Sequence, residues 1–452
     1  MFKNIAKGVI RRGKMSIFKE YDIRGVYPSE LDEEMAYRIG HSIAKYMKSR
    51  KLVVGMDGRT SSPSLTRALI NGILDEGVDV VDIGLASTPM FYHALVRLNL
   101  KGVMVTASHN PKQYNGFKIV KENSMQLTYQ HGIKQIEKIF LKNKFEMKKQ
   151  GQLIKKDILG EYSDYIYNKF SADDYSKLKI VIDFSNGVGA LPKNIFDRLK
   201  IKNIKLAEKI DGNFPMHPCN PMVKENVIDL QKAVKKQKAD AGIIFDGDAD
   251  RVIFVDEKGQ IVGADLAFVL LAREALKHSK DKKCYYDLRF SKIVWEEIKK
   301  AGGKPVMMRV GNPFYKKALL LEGGILAMEL SGHIMYKDNY DIDDALYASL
   351  KMLAILAKEK NKFSKLIAPL KKYHQTDEIN IEVKNKKQVL KKIEKKYKNC
   401  KIFKLDGISA YGNGFWFNIR ESQTEPLLRL RVEADTKQLM ESVVREILKE
   451  AV

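Results

Sequence analysis

Three carboxylates stand at alternate positions in the segment Asp246–Arg251, directly after the apolar run Ala241–Phe245. Carboxylates held this close repel one another unless a cation lies between them. Hard oxygen ligands of this kind suit a divalent ion such as Mg²⁺. An EF-hand would carry glycine at the sixth position of its loop, where Arg251 stands, so the pattern excludes that calcium loop. A solvated acidic turn is the alternative interpretation.

A second segment, Thr106–Pro111, places the hydroxyl of Ser108 beside the imidazole of His109. Pro111 prevents a regular helix there, so the pattern predicts a loop. A serine in such a loop can act as a nucleophile, and the alternative is a capping serine with an exposed neighbour. No Gly-x-Ser-x-Gly turn surrounds Ser108, which disfavours an ester hydrolase.

The elements that position both loops are predicted to be α/β units, because apolar strand-like runs alternate with helical patterns. The predicted strands are Leu52–Met56, Val78–Ile83, Gly102–Thr106, Lys179–Phe184, Ala241–Phe245, Lys283–Tyr286, Pro305–Arg309 and Ile325–Glu329. Ser62 and Pro63 predict the N-cap and first turn of a helix that runs to about Leu74. Ligands gather outside the carboxyl ends of strands in open α/β sheets, so three such units predict one shared cleft.

The pattern changes after Glu378 to an α+β segment. It consists of a strand, a basic helix, strands near Ile408–Tyr411, Gly414–Arg420 and Leu427–Glu433, and a last helix. We therefore predict four domains, at residues 1–155, 156–255, 256–369 and 370–452. Residues 1–14 are predicted to be a non-essential extension, with translation starting at Met15.

The charge of the chain raises the question of nucleic-acid binding, because 80 Lys and Arg against 56 Asp and Glu give a formal net charge of +24. The basic segment Lys384–Lys404 has apolar residues at helical spacing, which indicates the solvated face of an amphipathic helix. No zinc finger, RRM signature or basic zipper is present, so no nucleic-acid partner is expected, although that role stays as an alternative.

A cytoplasmic, membrane-free protein is expected on three grounds. No apolar run approaches the ~20 residues of a membrane helix. The segment Met1–Lys14 lacks the apolar stretch of a signal peptide. Cys219, Cys284 and Cys400 lie far apart and form no CxxC pair, which is typical of packed thiols in a reducing compartment.

Five segments together resemble the α-D-phosphohexomutase family, in its phosphomannomutase/phosphoglucomutase branch. They are Tyr21–Gly25, Thr106–Pro111 with Asn115–Lys118, Asp246–Arg251, Glu329–His333 and Arg420–Pro426, and they follow the family's order. The resemblance implies three related α/β domains with mixed sheets and a mobile α+β C-terminal domain around a central cleft. The third domain would carry a sugar-recognition loop, and the fourth would bind phosphate.

The activity that the resemblance implies is reversible transfer of phosphate between C1 and C6 of mannose or glucose phosphates. It would proceed through a phosphoserine and a hexose 1,6-bisphosphate, which also serves as activator. A phosphoglucosamine mutase and a Mg²⁺-dependent sugar phosphatase are the alternatives. The partners would be small-molecule sugar phosphates, and the chain would be a monomer or dimer. No Walker A loop is present, which disfavours a kinase.

The resemblance also implies roles for individual residues, and the chemistry of phosphoryl transfer supports them. Ser108 would carry the phosphate and hold Mg²⁺ together with Asp246, Asp248 and Asp250. Arg24, Lys118 and Arg251 would surround the phosphate, His109 would steady the serine loop, and His333 or Lys118 would move the hydroxyl proton. Glu329 and Ser331 would contact the sugar ring near Arg289, while Arg420, Ser422, Gln423 and Thr424 would bind the other phosphate with Tyr21 nearby.

Three positions depart from the family pattern. Gln423 stands where Asn is usual, Asn312 where His is usual, and Arg289 where Lys is common. These departures concern the phosphate contacts and the proton relay, and they are expected to tune the sugar preference.

Overall fold

The computed structural model describes residues 17–142, 148–422 and 427–451. Its first sheet carries the serine loop. The strands are β1 (Ile23–Val26), β2 (Lys51–Met56), β3 (Asp79–Leu85), β4 (Lys101–Val105), β5 (Tyr114–Val120) and β6 (Leu153–Lys155), in the order β1-β5-β4-β2-β3-β6. Strands β4, β2, β3 and β6 run parallel, whereas β5 is antiparallel to both neighbours.

Helices cover both faces of this sheet: α1 (Glu33–Met47), α2 (Ser62–Asp75), α3 (Thr88–Leu98) and α4 (Lys134–Lys142). Successive strand residues point to opposite faces, so Leu52 and Val54 join the core under α1, α2 and α4, while Val53 joins the core under α3. The sheet is therefore buried on both sides, as its largely parallel strands require.

The second and third sheets are also mixed. The second consists of β7 (Lys179–Asp183), β8 (Lys202–Leu206), β9 (Ala241–Phe245), β10 (Val252–Asp256) and β11 (Ile261–Val262), with α5 (Leu159–Phe170), α6 (Ile195–Arg198) and α7 (Ile228–Gln237). The third consists of β12 (Lys283–Asp287), β13 (Lys304–Met308), β14 (Leu326–Met328) and β15 (Ile334–Tyr336), with α8 (Ala264–His278), α9 (Lys292–Lys300), α10 (Asn312–Glu322), α11 (Ala345–Lys358) and α12 (Phe363–Ile367). In each, one or two antiparallel strands extend a parallel centre.

The fourth sheet is antiparallel throughout. Its strands are β16 (His374–Gln375), β17 (Ile379–Glu382), β18 (Lys401–Phe403), β19 (Ile408–Tyr411), β20 (Phe415–Glu421) and β21 (Leu427–Ala434), with α13 (Lys386–Lys396) and α14 (Lys437–Ala451). The predicted fold class, three α/β domains with mixed sheets and an α+β C-terminal domain, is confirmed.

One large apolar cluster connects the first three sheets, since Phe91 of α3, Tyr162 of α5 and Phe268 of α8 all belong to it. The C-terminal sheet has a core of its own around Ile393 and Phe417. The last strand of the first sheet, β6, ends at Lys155, where the first boundary was predicted. The second sheet includes β11, which lies beyond the boundary predicted at residue 255. The domain boundaries stay predictions.

One local prediction is wrong. Helix α2 begins at Ser62 and its N-cap is Ser61, whose side chain makes no capping hydrogen bond. Ser62 Oγ instead donates to Asp57 Oδ1 over 2.6 Å, so its hydroxyl serves the loop after β2.

Among the described residues, no helix is long and apolar enough to cross a bilayer. All three cysteines are free, and Cys219 and Cys284 are buried.

Candidate active site

Ser108 lies three residues after β4, in a left-handed backbone conformation with φ +50°. The residue is 2% exposed, and its Oγ donates to Asp246 Oδ2 over 2.8 Å. His109 Nδ1 lies 3.2 Å from the same Oγ. The serine hydroxyl of the first domain is therefore held directly against the acidic loop of the second.

Arg59, which the sequence analysis did not single out, fixes the backbone of the serine loop. The side chain is completely buried and pairs with Asp57 over 3.2 Å. Its guanidinium donates to the carbonyl oxygens of Ser108 (2.9 Å), Asn110 (2.7 Å), Pro111 (2.9 Å) and Tyr114 (3.0 Å). Five donors in a planar fork make arginine suited to such a task. The loop is thereby held in one conformation.

Replacing Arg59 tests this role. We expect Arg59→Ala to lower the free energy of unfolding by about 3–5 kcal/mol, because it leaves Asp57 as an uncompensated buried charge. Chemical denaturation measures the loss. Arg198→Ala is the control, since Arg198 makes an exposed pair with Asp164, and its loss should cost less than about 1 kcal/mol. Equal effects of the two substitutions would contradict the role.

The acidic loop follows β9, and its three carboxylates converge. One oxygen of each of Asp246, Asp248 and Asp250 lies within 4.8 Å of the others, and all three residues are at most 1% exposed. Burial and the neighbouring carboxylates raise the pKa of Asp246 well above its ordinary value. Asp246 Oδ1 also accepts from the backbone N–H groups of Asp250 and Arg251, which shapes the loop.

Lys118 of β5 is the cation bonded to this loop. Its Nζ donates to Asp248 Oδ2 over 2.8 Å and also bonds to Asp250 Oδ2. Burial opposes the charge of Lys118, yet the two carboxylates keep its pKa well above the ordinary value. Burial likewise opposes the charge of Asp248, but Lys118 and a hydrogen bond from Thr88 Oγ1 (2.7 Å) lower the pKa of that carboxyl group.

The donor set fits a divalent cation. Asp248 Oδ1 and Asp250 Oδ1 are buried and accept no hydrogen bond from any described residue. A buried carboxylate oxygen without a partner is costly, and a bound cation would remove that cost. Lys118 bonds to the Oδ2 atoms of Asp248 and Asp250, so their Oδ1 atoms are left to face an ion. The predicted metal ligands therefore lie together.

Glycine is required where the second domain meets the serine loop. A Cβ atom on Gly247 would lie 2.6 Å from the Ser108 carbonyl oxygen, which is closer than any side chain permits. A Cβ atom on Gly187 would lie 2.5 Å from the Gly247 carbonyl oxygen. Three loops thus meet backbone to backbone, and this close approach brings Ser108 to the carboxylates.

Two arginines flank the serine. Arg24 Nη1 donates to Asn110 Oδ1 over 2.8 Å, and Arg251 Nε lies 3.9 Å from both Asp246 and Asp250. Burial and then these two guanidinium groups lower the pKa of His109 well below its ordinary value. His109 is therefore neutral beside Ser108.

His333 joins the third domain to the acidic loop. Its Nε2 accepts from Arg251 Nε over 3.0 Å, and its Nδ1 lies 3.1 Å from Asp343 Oδ2. Because an arginine nitrogen can only donate, the proton of a neutral His333 ring lies on Nδ1, facing Asp343. Asn312 Nδ2 donates to the same Asp343 oxygen over 2.9 Å, so Asn312 helps to fix the carboxylate that contacts His333.

The predicted sugar loop lies between β14 and β15 and ends at His333. Glu329 is 7% exposed, and its Oε1 lies 3.7 Å from Arg289 Nη2. Ser331 Oγ is buried and makes no hydrogen bond to a described residue. Arg289 is held by two hydrogen bonds to Asp287, of 2.8 and 2.6 Å. A carboxylate, a hydroxyl and a guanidinium therefore lie at one end of β12 and β14.

The remaining predicted residues are Tyr21 and those at the end of β20 and after it. Tyr21 packs edge-on against Phe314, and a Cβ atom on Gly311 would touch its hydroxyl at 2.6 Å. Burial raises the pKa of Tyr21 to about 12. Arg420 and Ser422, on β20 and just after it, are nearly buried. Gln423 and Thr424 lie outside the described residues.

Thr88, Thr106 and Asp343 are the other site residues that sequence reasoning missed. Thr88 and Thr106 both donate to Asp248 Oδ2, and Asp343 contacts His333. Thr106 belongs to the predicted serine loop, but its contact with Asp248 was not predicted. Nothing in the local sequence indicates that Thr88 contacts Asp248, 160 positions away, or that Asp343 contacts His333, 10 positions away.

A hydroxyl, converging carboxylates and surrounding cations at the ends of three sheets suit metal-assisted phosphoryl transfer. Comparisons with known proteins define the family. Models of the four phosphoglucomutase/phosphomannomutase domains match in order: α/β/α domain I at residues 15–147, domain II at 160–259, domain III at 264–373 and the C-terminal domain at 378–450.

Individual relatives agree. The chain is 38% identical over 443 residues to a phosphomannomutase of Methanocaldococcus jannaschii, covering 96% of this chain and 97% of the relative. It is 36% identical over 439 residues to a phosphomannomutase/phosphoglucomutase of Pseudomonas syringae, with 95% and 93% covered. A crystal structure of a family protein from Burkholderia thailandensis superimposes with a TM-score of 0.89 at 32% identity, covering 96% and 97%.

The chain belongs to the phosphoglucomutase/phosphomannomutase family, and the predicted membership is confirmed. The match extends over nearly all of the chain and of the relatives.

Proposed function

We propose that this phosphohexomutase, an isomerase, reversibly moves phosphate between C1 and C6 of mannose and glucose phosphates through phosphorylated Ser108. The relatives' names support hexose phosphates as substrates. The observation that carries the mechanism is the bond between Ser108 Oγ and Asp246 Oδ2, 2.8 Å long, which places a buried hydroxyl on the metal loop. A phosphate on this oxygen would lie within reach of the three carboxylates' cation.

The proposed cofactor is Mg²⁺, held by Asp246, Asp248, Asp250 and an oxygen of the phosphate on Ser108. When bound, the ion neutralises charge on the transferring group. Lys118 Nζ bonds to Asp248 and Asp250, and with those carboxylates engaged as metal ligands it would be free to donate to a phosphate oxygen.

Arg24 and Arg251 flank the serine and are proposed to orient the equatorial oxygens of its phosphate. Both groups carry fixed positive charge and fork-shaped donors, which suit phosphate. Their positions in the first and second domains let them act from two sides. The barrier is lowered because these charges need not reorganise during transfer.

His333 is proposed to take the proton of the attacking sugar hydroxyl. Its Nε2 is the basic nitrogen, since the proton on Nδ1 faces Asp343. Arg251 Nε donates to Nε2, so Arg251 would have to turn toward the phosphate before the hydroxyl could bond there. In the reverse direction the same Nε2 returns the proton to the departing sugar oxygen.

The second transfer demands that the hexose 1,6-bisphosphate turn round. The 1-phosphate and 6-phosphate would exchange places between Ser108 and a second site formed by Arg420, Ser422, Gln423 and Thr424. Hydroxyls O3 and O4 roughly interchange in such a half-turn. Glu329 can accept from either hydroxyl and Ser331 can donate or accept, so this pair serves both orientations.

A coupled assay tests the function. Glucose 1-phosphate, mannose 1-phosphate and glucosamine 1-phosphate are each supplied with the matching 1,6-bisphosphate, and free phosphate is followed in parallel. We expect turnover of glucose and mannose phosphates within about 10-fold of each other, or about 1.4 kcal/mol, and little phosphate release. Rapid phosphate release would identify a phosphatase, and turnover of glucosamine 1-phosphate alone a glucosamine mutase.

Glu329→Ala tests how the sugar is recognised. We expect losses of roughly 1.5–3 kcal/mol in transition-state binding for both sugars, because the carboxylate contacts hydroxyls that the two share. The ratio of kcat/KM for glucose and mannose 1-phosphates should stay unchanged. Glu322→Ala, an exposed glutamate at the end of α10, is the control. Loss of one sugar alone would show that the loop contacts C2.

A further inference from the structure

Glu378 lies at the entry to the C-terminal domain, between β16 and β17, and three arginines surround its carboxylate. Oε2 accepts from Arg420 Nη2 over 2.9 Å and from Arg289 Nη1 over 3.4 Å. Oε1 accepts from Arg429 Nη1 over 3.3 Å. The contacts connect β12's loop in the third domain with β20 and β21 in the fourth. One carboxylate thus joins two domains.

Two of these arginines lie opposite each other on neighbouring strands. Arg420 and Arg429 are directly paired across β20 and β21, a position where like charges destabilise a sheet. Arg420 is only 5% exposed on its side chain, and Glu378 is the one carboxylate of the described residues within 4.0 Å of its guanidinium. Arg289 already has Asp287. Glu378 is therefore the counter-charge of Arg420.

The carboxylate is bonded to an arginine that is proposed to bind a substrate phosphate. Arg420 belongs to the proposed second phosphate site, and Arg289 lies beside Glu329 of the sugar loop. Burial raises the pKa of Glu378, but the three arginines lower it more, so the pKa lies below its ordinary value. The Glu378 carboxyl group is therefore an anion. A phosphate dianion and this carboxylate then bond to the same guanidinium and repel each other.

We infer that Glu378 is a positioning residue that weakens the hold of Arg420 on the phosphate not being transferred, so that the bisphosphate can let go and turn round. In the substrate-free enzyme the carboxylate keeps Arg420 and Arg289 oriented across the domain boundary. With substrate bound, its repulsion prevents the second site from holding phosphate too tightly. The inference rests on the proposed function, since only a substrate that must turn needs such a limit.

Charge removal at constant shape tests the inference. We expect Glu378→Gln to bind glucose 1-phosphate about 10-fold more tightly, when affinity is measured by calorimetry in a Ser108→Ala background that cannot turn over. In the Ser108 enzyme the same change should lower kcat by a similar factor and lower KM. A purely structural role predicts the reverse, since a loosened Arg420 would bind phosphate less well.

Two further variants complete the experiment. Glu382, an exposed residue at the end of β17, lies four residues after Glu378. Glu382→Gln should change neither the affinity for glucose 1-phosphate nor kcat. Glu378→Asp keeps the charge and should stay within about threefold of the parent in affinity, which retains a test if the glutamine variant fails to fold. Weaker or unchanged binding in Glu378→Gln, or tighter binding in Glu378→Asp, would overturn the inference. Absence of mutase turnover in the unmodified enzyme would instead reject the proposed function.

Discussion

Ser108→Ala is expected to lower mutase turnover by about 10³-fold or more, because it removes the atom that is proposed to carry the phosphate. The substitution deletes one hydroxyl from a loop that Arg59 holds through backbone carbonyls, so the fold should persist. Steady-state assay with glucose 1-phosphate and its 1,6-bisphosphate measures the loss. Phosphopeptide mapping of the unmodified protein should locate one phosphate, on Ser108.

Ser64→Ala provides the control for that measurement, since Ser64 Oγ donates to the Ser61 carbonyl and bonds to Glu33 and Tyr27, none of which belongs to the serine or acidic loop. It should retain normal activity and phosphorylation. The mechanism fails if the phosphate maps to another residue, or if the Ser108 variant works at near-normal rate with an unchanged melting temperature.

The second large effect concerns the metal loop. Asp248→Asn should reduce kcat about 10²–10³-fold and weaken Mg²⁺ binding, while KM changes far less, because the ion acts chiefly on charge in the transition state. The amide has the same shape but lacks the charge that holds the ion. Activity titrated against Mg²⁺ separates the metal affinity from the rate at saturation.

Asp265→Asn is the matched control for the metal loop. Asp265 is also a largely buried aspartate, but it lies at the start of α8, away from the acidic loop. Its carboxylate accepts a hydrogen bond from Gln375 of β16. Its Mg²⁺ dependence should equal that of the parent. Full activity of the unmodified enzyme in excess chelator would refute a metal role for Asp246, Asp248 and Asp250.

Local patterns predicted most of the strands that present the site. The strands Ala241–Phe245 and Ile408–Tyr411 match β9 and β19 at both ends. Both are short apolar runs bounded by polar loops, for which neighbouring residues carry the whole signal. The serine and acidic loops follow strands, as predicted, because chemistry-bearing loops lie where parallel strands end.

Strand β5, which carries Lys118, was not predicted as a strand. It contains Asn115 and Gly116, residues that ordinarily indicate a turn. The structure shows why glycine is needed: a Cβ atom on Gly116 would lie 2.2 Å from the Ile23 carbonyl oxygen of β1. The close approach of a strand that comes about 90 residues earlier decides this position, and a local pattern cannot show it.

The buried ion pairs were also not predicted from the sequence. Arginines are usually found at the surface, so Arg59 did not stand out in the sequence. Arg289 and Arg420 were predicted as site residues, but their pairing with Glu378 was not. Arg59 meets carbonyl groups about 50 residues away, and Glu378 meets Arg289 from 89 residues away. Such pairings depend on the assembled tertiary structure. The predictions for Met15, Gln423 and Thr424 concern residues outside the described ranges.

The hold of Arg59 on four carbonyl groups has a consequence for how work is divided during a turnover. A buried guanidinium and a left-handed turn at Ser108 hold the loop in place. In the proposed reaction the protein would therefore keep the donor oxygen stationary in both half-reactions, and the sugar phosphate would move instead. Reversal of the reaction would then need no second catalytic centre, because one fixed serine would meet each end of the sugar in turn.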